Sequence, residues 1–383
     1  MSAFITSSNS LKALVVARSL GRKGVEVTTG DKSNSSLSSY SIYSNNFVSY
    51  PSPQKFPSEF VTSLIQTISK NKYDVLIPVH SEDTYLIAKY KSKFEPYTKI
   101  PLHDYSTIMN VNDKGYLMKV ADNLGVRVPK TFYPGNLNEL DFIANGIGFP
   151  LVIKLRNSFS SIGLSYVYSK EELFKKYEET ILKFNLSPSE YPLIQEYIEG
   201  DGYGVSLLYN QGSLRAKFTH KRLREYPISG GPSTYRISVK HPKMEKIATK
   251  LLDYFSWHGV AMVEFKLDRK NNEPVLMEIN PRFWGSINQA VQSGVDFPYL
   301  LYTMALEGDV KPVLDYKVGV KTRNMFIDSF AVIKSFQKNK DFKLVKEFFP
   351  FSAKDDVFSL CDPLPSLKFI QIGFDELINS RYK

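Results

Sequence analysis

The chain has 383 residues, 43% of them hydrophobic and 23% charged, which predicts a globular protein of two or three domains. Its one cysteine, Cys361, excludes an intramolecular disulfide and a thiolate metal cluster, and no apolar stretch approaches a membrane span. The net charge of +10 is spread along the chain without a dense basic run. We therefore expect no nucleic-acid and no membrane partner, and a cytoplasmic location.

The first hundred residues predict alternating strands and helices. A strand at residues 4–6, a helix over 11–20 that closes at Gly21 and a strand at 25–27 form a β-α-β unit. A second strand-helix unit begins at residues 75–79. This order predicts a parallel α/β domain over about residues 1–108, and the glycine fingerprint of a dinucleotide site is missing from it.

Two lysines in the next segment lie where they can meet an anion. Lys114 is on the first turn of a helix that is predicted to begin at Asp113. Residues 151–156 predict a strand with apolar odd positions, so Lys154 shares a half-buried face and needs an anionic partner. A lysine that extends its ammonium to solvent is the alternative. The hydroxyl-rich loop 157–163 ends in glycine and can offer backbone N–H groups to phosphate oxygens.

The strongest chemical signal is a predicted β-hairpin with two facing carboxylates. Alternation of apolar and polar side chains over 260–268 and 275–280 predicts its two strands. If the turn is centred at Asn271, Glu264 and Glu278 each lie seven residues from the centre and face each other. Like charges that face across a ladder destabilise it, so a cation between them is expected.

A divalent cation with oxygen ligands is the candidate for this position. Asn280, on the same face as Glu278, adds a third oxygen, and the histidines show no metal-ligand spacing. The alternative is a solvated sheet face on which Lys266 neutralises one glutamate.

In chain order, these segments resemble the ATP-grasp superfamily. The resemblance rests on an ordered set of elements, which are Lys114, Lys154, Ser160-Ser161-Ile162-Gly163, Gln195-Glu196-Tyr197-Ile198, Glu264 and Glu278-Ile279-Asn280-Pro281-Arg282. It covers roughly residues 110–305. It implies an α/β fold with an N-terminal parallel α/β domain at 1–108 and a two-lobed ATP-grasp module at 109–310. The lid of that module would span about 131–192, and a small C-terminal extension would occupy 311–383.

The resemblance implies a set of ATP-binding residues. They hold the phosphates, close over them or line the adenine, and they are Lys114, Lys154, Ser160, Ser161, Gly163, Gln195, Glu196 and Ile198. The two lysines would act as point charges on the phosphates, and Glu196 and Ile198 would offer main-chain hydrogen bonds to the base. Two departures from the family pattern are a serine-rich lid loop and Gln195, where a glutamate is often found.

The resemblance also implies metal ligands and a catalytic arginine. Glu264, Glu278 and Asn280 would bind one or two Mg²⁺ ions, with Mn²⁺ as the alternative ion. Arg282 would stabilise charge on the transferring phosphoryl group or the acyl phosphate. Arg236 follows a glycine loop and is expected to hold a substrate carboxylate, although an ordinary charged strand is the alternative.

The implied chemistry is a ligase reaction. ATP phosphorylates a carboxylate to an acyl phosphate, an amine attacks it, and an amide, ADP and phosphate are released. The expected substrates are a small carboxylate and an amine, most simply an amino acid or a derivative. The alternatives are a bicarbonate-phosphorylating carboxylase or carbamoyl-phosphate-type enzyme, and a non-catalytic nucleotide-binding regulator. The identity of the acid and amine, and whether the chain forms a homodimer, stay open.

Overall fold

A computed structural model describes residues 1–158, 162–227, 230–339, 348 and 353–381 of the chain. Over these residues the strands form three sheets. The strands are β1 (Ser2–Ile5), β2 (Glu26–Asp31), β3 (Asn46–Ser49), β4 (Val75–Ile77), β5 (Thr131–Phe132), β6 (Leu151–Lys154), β7 (Ser165–Val167), β8 (Leu193–Glu196), β9 (Gly200–Asn210), β10 (Ser213–Glu225), β11 (Ser233–Ser238), β12 (Gly259–Asp268), β13 (Pro274–Asn280), β14 (Lys321–Arg323) and β15 (Lys354–Asp355).

Helices cover these sheets. They are α1 (Leu11–Gly21), α2 (Pro57–Asn71), α3 (Ser81–Lys89), α4 (Lys91–Phe94), α5 (Tyr105–Asn112), α6 (Lys114–Asn123), α7 (Glu139–Ile147), α8 (Lys170–Phe184), α9 (Pro242–Tyr254), α10 (Ile287–Gln292), α11 (Phe297–Glu307), α12 (Met325–Asn339) and α13 (Leu364–Arg381). None of the helices in the described part of the chain is long and apolar enough to cross a membrane.

The N-terminal sheet is parallel throughout, with strand order β3-β2-β1-β4, which confirms the predicted α/β domain. The short apolar strands β1 and β4 are buried because helices cover both faces. The Ser10 side chain caps α1 by accepting a hydrogen bond from the Ala13 N–H at 3.3 Å. Because β1 and β4 are parallel neighbours, their carboxyl ends adjoin at one edge, beside the starts of α1 and α3.

The second sheet is antiparallel, with order β5-β8-β6-β7, and forms the lobe predicted as a lid. Its strands extend from Thr131 to Glu196. Helices α7 and α8 cover one face, because their apolar positions meet those of β6, β7 and β8. This small core contains Leu140, Ile143, Leu151, Ile153, Val167, Leu173, Tyr177 and Ile194. It holds β6 in place, and β6 carries Lys154 at its end.

The third sheet is the largest and has order β13-β12-β9-β10-β11-β14-β15. Along β12, alternate residues enter different cores. Ala261 and Val263 pack toward α9, and Val260 and Met262 pack toward α10 and α11. Both faces are therefore covered, and the polar side chains of β12 lie where the sheet borders the lid lobe and the N-terminal domain.

The segment 311–383 joins both preceding domains. Strand β14 pairs with β11, and β15 extends the same sheet. Farther along, the fully buried Asp362 accepts hydrogen bonds from Arg18 Nε and Ser41 Oγ, both at 2.7 Å. A further Arg18 nitrogen donates to the Val357 carbonyl at 2.8 Å. This buried ion pair fastens the segment to α1.

The Arg18–Asp362 pair gives a stability prediction. Asp362→Ala leaves a buried guanidinium without its carboxylate, so we expect the free energy of unfolding to fall by about 3–5 kcal/mol. Urea unfolding followed by tryptophan fluorescence measures the change. The control is Asp315→Ala, which breaks the exposed Lys240–Asp315 pair and should leave the unfolding midpoint unchanged. Equal midpoints for the two variants would contradict the prediction.

Candidate functional site

The β12–β13 hairpin forms the floor of the site. Its register places Glu264 opposite Glu278, as the sequence predicted, and Met262 opposite Asn280. The turn side of the hairpin is shifted by one residue, because Phe265 pairs with Leu276 and Met277 is the extra residue of a β-bulge on β13. The symmetric register is thus correct at the carboxylates and wrong nearer the turn. A bulge at this point increases the local twist and changes the direction of the neighbouring side chains.

The facing carboxylates are held by different cations. Arg222 donates to Glu264, and the Lys114 ammonium lies 3.4 Å from Glu278 Oε2. Burial raises the pKa of Glu264, and the charge of Glu278 adds to this rise while Arg222 opposes it. Burial also acts to raise the pKa of Glu278. The nearby cations, Lys114 foremost, outweigh this effect and bring the pKa of Glu278 below its ordinary value. Glu278 is therefore the more firmly ionised member of the pair.

The two predicted phosphate lysines converge on Glu278 from separate elements. Lys114 is the first residue of α6 and is 7% exposed, and its ammonium donates to the Ser158 carbonyl at 2.8 Å. Lys154 ends β6 in the lid lobe. Burial lowers the pKa of Lys154 to about 8, although the charge of Glu278 opposes this shift. Lys114 thus lies beside Glu278, and the charge of Lys154 acts on the same carboxylate from the lid lobe.

Asn280 links the carboxylates to Arg282. Its Nδ2 donates to Glu264 Oε1 at 2.9 Å and to Glu278 Oε1 at 3.4 Å. Its Oδ1 accepts a hydrogen bond from Arg282 at 2.9 Å. To bind a metal ion beside the carboxylates, the Asn280 amide would have to rotate by 180° and release its hydrogen bond from Arg282.

The donor set at the hairpin fits a hard divalent cation. Two carboxylates and one amide supply oxygen donors, which Mg²⁺ and Mn²⁺ prefer. In the ranges that the structure describes, no cluster of three or more His, Cys, Asp or Glu side chains could hold a metal ion. An ion at Glu264, Glu278 and Asn280 would thus need further ligands from phosphate or water, which is usual for Mg²⁺.

The predicted adenine segment lies on β8 and just after it. Gln195 is buried and donates to Thr131 Oγ1 at 2.9 Å, and the Glu196 carboxylate accepts from the Lys130 N–H at 3.1 Å. The ammonium of Lys266 donates to the Ile198 carbonyl at 2.8 Å. The alternative in which Lys266 neutralises a glutamate of the hairpin is therefore not what the structure shows. Lys266 instead joins the central sheet to this segment.

The loop after β6 is described in part. Ser160 and Ser161, which the resemblance places over the phosphates, lie outside the described residues. Gly163 closes the loop with φ +69°, and a Cβ there would lie 2.4 Å from the Leu155 side chain. Glycine is therefore required at this turn. Whether these loop residues contact phosphate stays a prediction.

Arg236 is buried in a network of its own. Its nitrogens donate to Thr322 Oγ1 at 3.0 Å, to the Ser233 carbonyl at 2.9 Å and to the Asp356 carboxylate. In the structure Arg236 therefore binds the carboxylate of Asp356, which belongs to the C-terminal segment. Its predicted contact with a substrate carboxylate stays a prediction, and Ser229, which begins the preceding loop, lies outside the described residues.

Sequence reasoning missed the role of Arg222. No pattern in the sequence assigned a partner to this residue. In the structure β10 is separated from β12 by β9, and the long arginine side chain spans that distance to Glu264. The strand order that brings them together cannot be read from spacing along the chain, since the two residues are 42 positions apart.

The N-terminal domain contributes a wall that the sequence did not indicate. Arg282 is buried and donates to Ser81 Oγ, at the start of α3, at 2.7 Å. Burial lowers the pKa of Lys12 well below its ordinary value and that of His80 to about 3, so this ring is neutral at pH 7. Burial also raises the pKa of Asp83 to about 6. Because Arg282 contacts Ser81, the edge of the N-terminal sheet where β1 and β4 end adjoins the hairpin.

Comparisons with known proteins agree with this geometry. The family model described as "ATP-grasp in the biosynthetic pathway with Ter operon" matches residues 189–325. A formate-dependent phosphoribosylglycinamide formyltransferase of Prochlorococcus marinus is 27% identical over 226 residues. That match covers 58% of this chain and 57% of the relative, so the chain spans little more than half of the relative's length.

Two solved structures have a similar fold. An L-amino acid ligase of Bacillus licheniformis has a TM-score of 0.63 and 18% identity, over 82% of this chain and 77% of that chain. The biotin carboxylase domain of a Hydrogenobacter thermophilus 2-oxoglutarate carboxylase, solved as a dimer with MgADP and bicarbonate, has a TM-score of 0.67. It is 14% identical, over 83% of this chain and 73% of that chain. At such identities the likeness shows the fold alone.

The pKa of Lys154 gives a pH-dependent prediction for nucleotide binding. Because this pKa is about 8, the ammonium is charged below that pH and becomes neutral above it. We expect the affinity for MgATP to fall as the pH rises above about 8. Lys154→Gln should bind MgATP more weakly by about 2–3 kcal/mol at neutral pH and lose this pH dependence.

Isothermal titration calorimetry across this pH range measures both effects. The control is Lys170→Gln, which removes an exposed lid lysine paired with Asp141 and should behave like the wild type. If Lys154→Gln bound MgATP with wild-type affinity, the Lys154 ammonium would make no contact with phosphate in the wild-type protein.

Proposed function

We propose that this chain is a member of the ATP-grasp superfamily and an ATP-dependent ligase that activates a carboxylate as an acyl phosphate and joins it to an amine. The observation that carries the proposal is the Glu264–Glu278 pair, on which Lys114 and Lys154 converge. Oxygen donors and adjacent ammonium groups are the combination that a metal-bound triphosphate requires. The sequence similarity to a formate-dependent formyltransferase supports the reaction class.

Each group in the site has a part in binding ATP. Glu264, Glu278 and Asn280 would hold Mg²⁺, or Mn²⁺, and the ion would neutralise charge on the phosphate oxygens. Lys114 and Lys154 would hold the phosphates from the body and the lid lobe. The main chain at Glu196 and Ile198 would meet the base.

The reaction proceeds in two transfers. An oxygen of the substrate carboxylate attacks the γ-phosphorus, and the bond to the β-phosphate oxygen breaks to release ADP. The amine then attacks the acyl carbon, the bond to the phosphate oxygen breaks, and the nitrogen loses a proton. Arg282 lies beside Asn280 and would stabilise the negative charge in both steps. The lid lobe would exclude water, which would otherwise hydrolyse the acyl phosphate.

The expected substrates are a small carboxylate and an amine, most simply an amino acid or a derivative. If Arg236 holds the substrate carboxylate, that group must displace Asp356 from it, or share the guanidinium with it. The bicarbonate-using alternative is supported by the fold of the biotin carboxylase domain and by a shorter sequence match to a carbamoyl phosphate synthase large chain, and it is not favoured. A homodimer is proposed by analogy with the dimeric carboxylase domain, and the cytoplasmic location stays a prediction.

The role of Glu278 can be tested by removal of its charge. Glu278→Gln should abolish ADP formation and leave the fold intact, because it replaces a metal ligand and not a core side chain. Coupled-enzyme detection of ADP, with circular dichroism for the fold, measures this. Glu273→Gln, at the turn of the same hairpin, is the matched control and should keep wild-type turnover. Near-normal Mg²⁺-dependent ADP formation by Glu278→Gln would refute the metal assignment.

The acyl phosphate can be tested by trapping. Hydroxylamine added with ATP and the correct acid should yield a hydroxamate, because it attacks the activated carbonyl carbon in place of the amine. Release of ADP should depend on that acid, and a panel of amino acids and small carboxylates would identify it. Turnover driven by bicarbonate alone, or tight ATP binding without turnover over a broad panel of acids and amines, would contradict the ligase reaction.

A further inference from the structure

The lid lobe and the body meet where α6 begins and β6 has just ended. The Lys114 N–H donates to the Arg156 carbonyl at 3.0 Å, and the Lys114 ammonium donates to the Ser158 carbonyl at 2.8 Å. Asn112 Nδ2 lies 3.4 Å from Asn157 Oδ1 in the same junction. Backbone and side chain of Lys114 thus both contact the segment that follows Lys154.

A side-chain ion pair crosses this junction. Arg156 Nη2 lies 3.1 Å from Asp113 Oδ2, and Arg156 Nε lies 3.4 Å from Asp113 Oδ1. The remaining nitrogen, Nη1, donates to the Ser189 carbonyl at 3.1 Å, within the lid lobe. The two side chains are 30% and 22% exposed, so solvent screens the pair only in part. The planar guanidinium can therefore hold a lid element and the start of α6 together.

The position of each partner along the chain matters. Asp113 immediately precedes Lys114, and its Oδ1 also caps α6 by accepting from the Tyr116 N–H at 3.0 Å. Arg156 lies two residues after Lys154. Gly115 keeps the approach open, since a Cβ there would lie 3.2 Å from Arg156 Nε. Any displacement of this pair would therefore move the two lysines relative to each other.

We propose that Arg156 and Asp113 form a positioning pair that keeps Lys114 and Lys154 at the spacing at which both contact one polyphosphate. The inference rests on the proposed function, because it takes the two lysines as the phosphate ligands. Under this proposal neither member of the pair is itself a phosphate ligand. They act through the lysines by fixing the lid lobe against α6.

A double-mutant cycle measured by MgATP binding tests the pair. Arg156→Gln removes the guanidinium, and Asp113→Asn removes the charge while it keeps an oxygen that can cap α6. Each single variant should bind MgATP about tenfold more weakly. The double variant should be no weaker than either single one, because both changes break the same contact. Arg156→Lys, which keeps the charge but loses the forked contact, should recover part of the affinity.

Turnover separates positioning from general damage. If the pair positions ground-state ligands, the KM for ATP should rise while kcat changes less. The control is Lys176→Gln, which breaks a lid ion pair with Glu172 that does not cross the junction and should change neither value. Unchanged MgATP affinity in folded Arg156→Gln, or losses that add in the double variant, would overturn the inference. Since binding is measured without acid or amine, failure of the ligase reaction would leave this comparison intact.

Discussion

The site depends on one electrostatic constraint, which is the pair of carboxylates that face each other across the β12–β13 hairpin. Two such groups in a half-buried position repel each other, and each loses hydration. The fold compensates them with cations from different elements. Arg222 pairs with Glu264, Lys114 pairs with Glu278, and the charge of Lys154 also lowers the pKa of Glu278. Because more cations lie near Glu278 than near Glu264, the pKa of Glu278 is lowered while that of Glu264 is raised.

The cations in turn fix the relative positions of the lobes. Lys114 belongs to α6, Lys154 to the lid sheet and Arg222 to a strand two places away in the central sheet. Arg282 reaches the N-terminal domain through Ser81. A cluster that draws on four parts of the fold can form only when all of them are assembled. Under the proposed function, the same arrangement would offer a polyphosphate and its metal ion a binding site in which the charges are already oriented.

Buried ion pairs of the C-terminal segment have a different role. Asp362 pairs with Arg18 and Asp356 with Arg236, and all four side chains are buried. Burial raises the pKa of Asp356, although the charge of Arg236 opposes this shift. Removal of one partner of such a pair leaves an uncompensated charge, so the segment is an integral part of both domains and not an appendage. This arrangement also explains why Arg236, exposed to substrate in the sequence interpretation, is enclosed by protein.

The sequence by itself determined the local elements and the facing carboxylates, because strand alternation and turn residues act over short distances. The helix at 11–21, the strand that carries Lys154 and the opposition of Glu264 and Glu278 all follow from such patterns. A resemblance in the order of motifs indicated the ATP-grasp superfamily, and a family model for an ATP-grasp group matches residues 189–325. Only the tertiary structure decided the partner of Arg222, the enclosure of Arg236 by Asp356 and the contact of Lys266 with Ile198. These contacts join residues far apart in the chain, and strand order and lobe packing, which no local pattern encodes, bring them together.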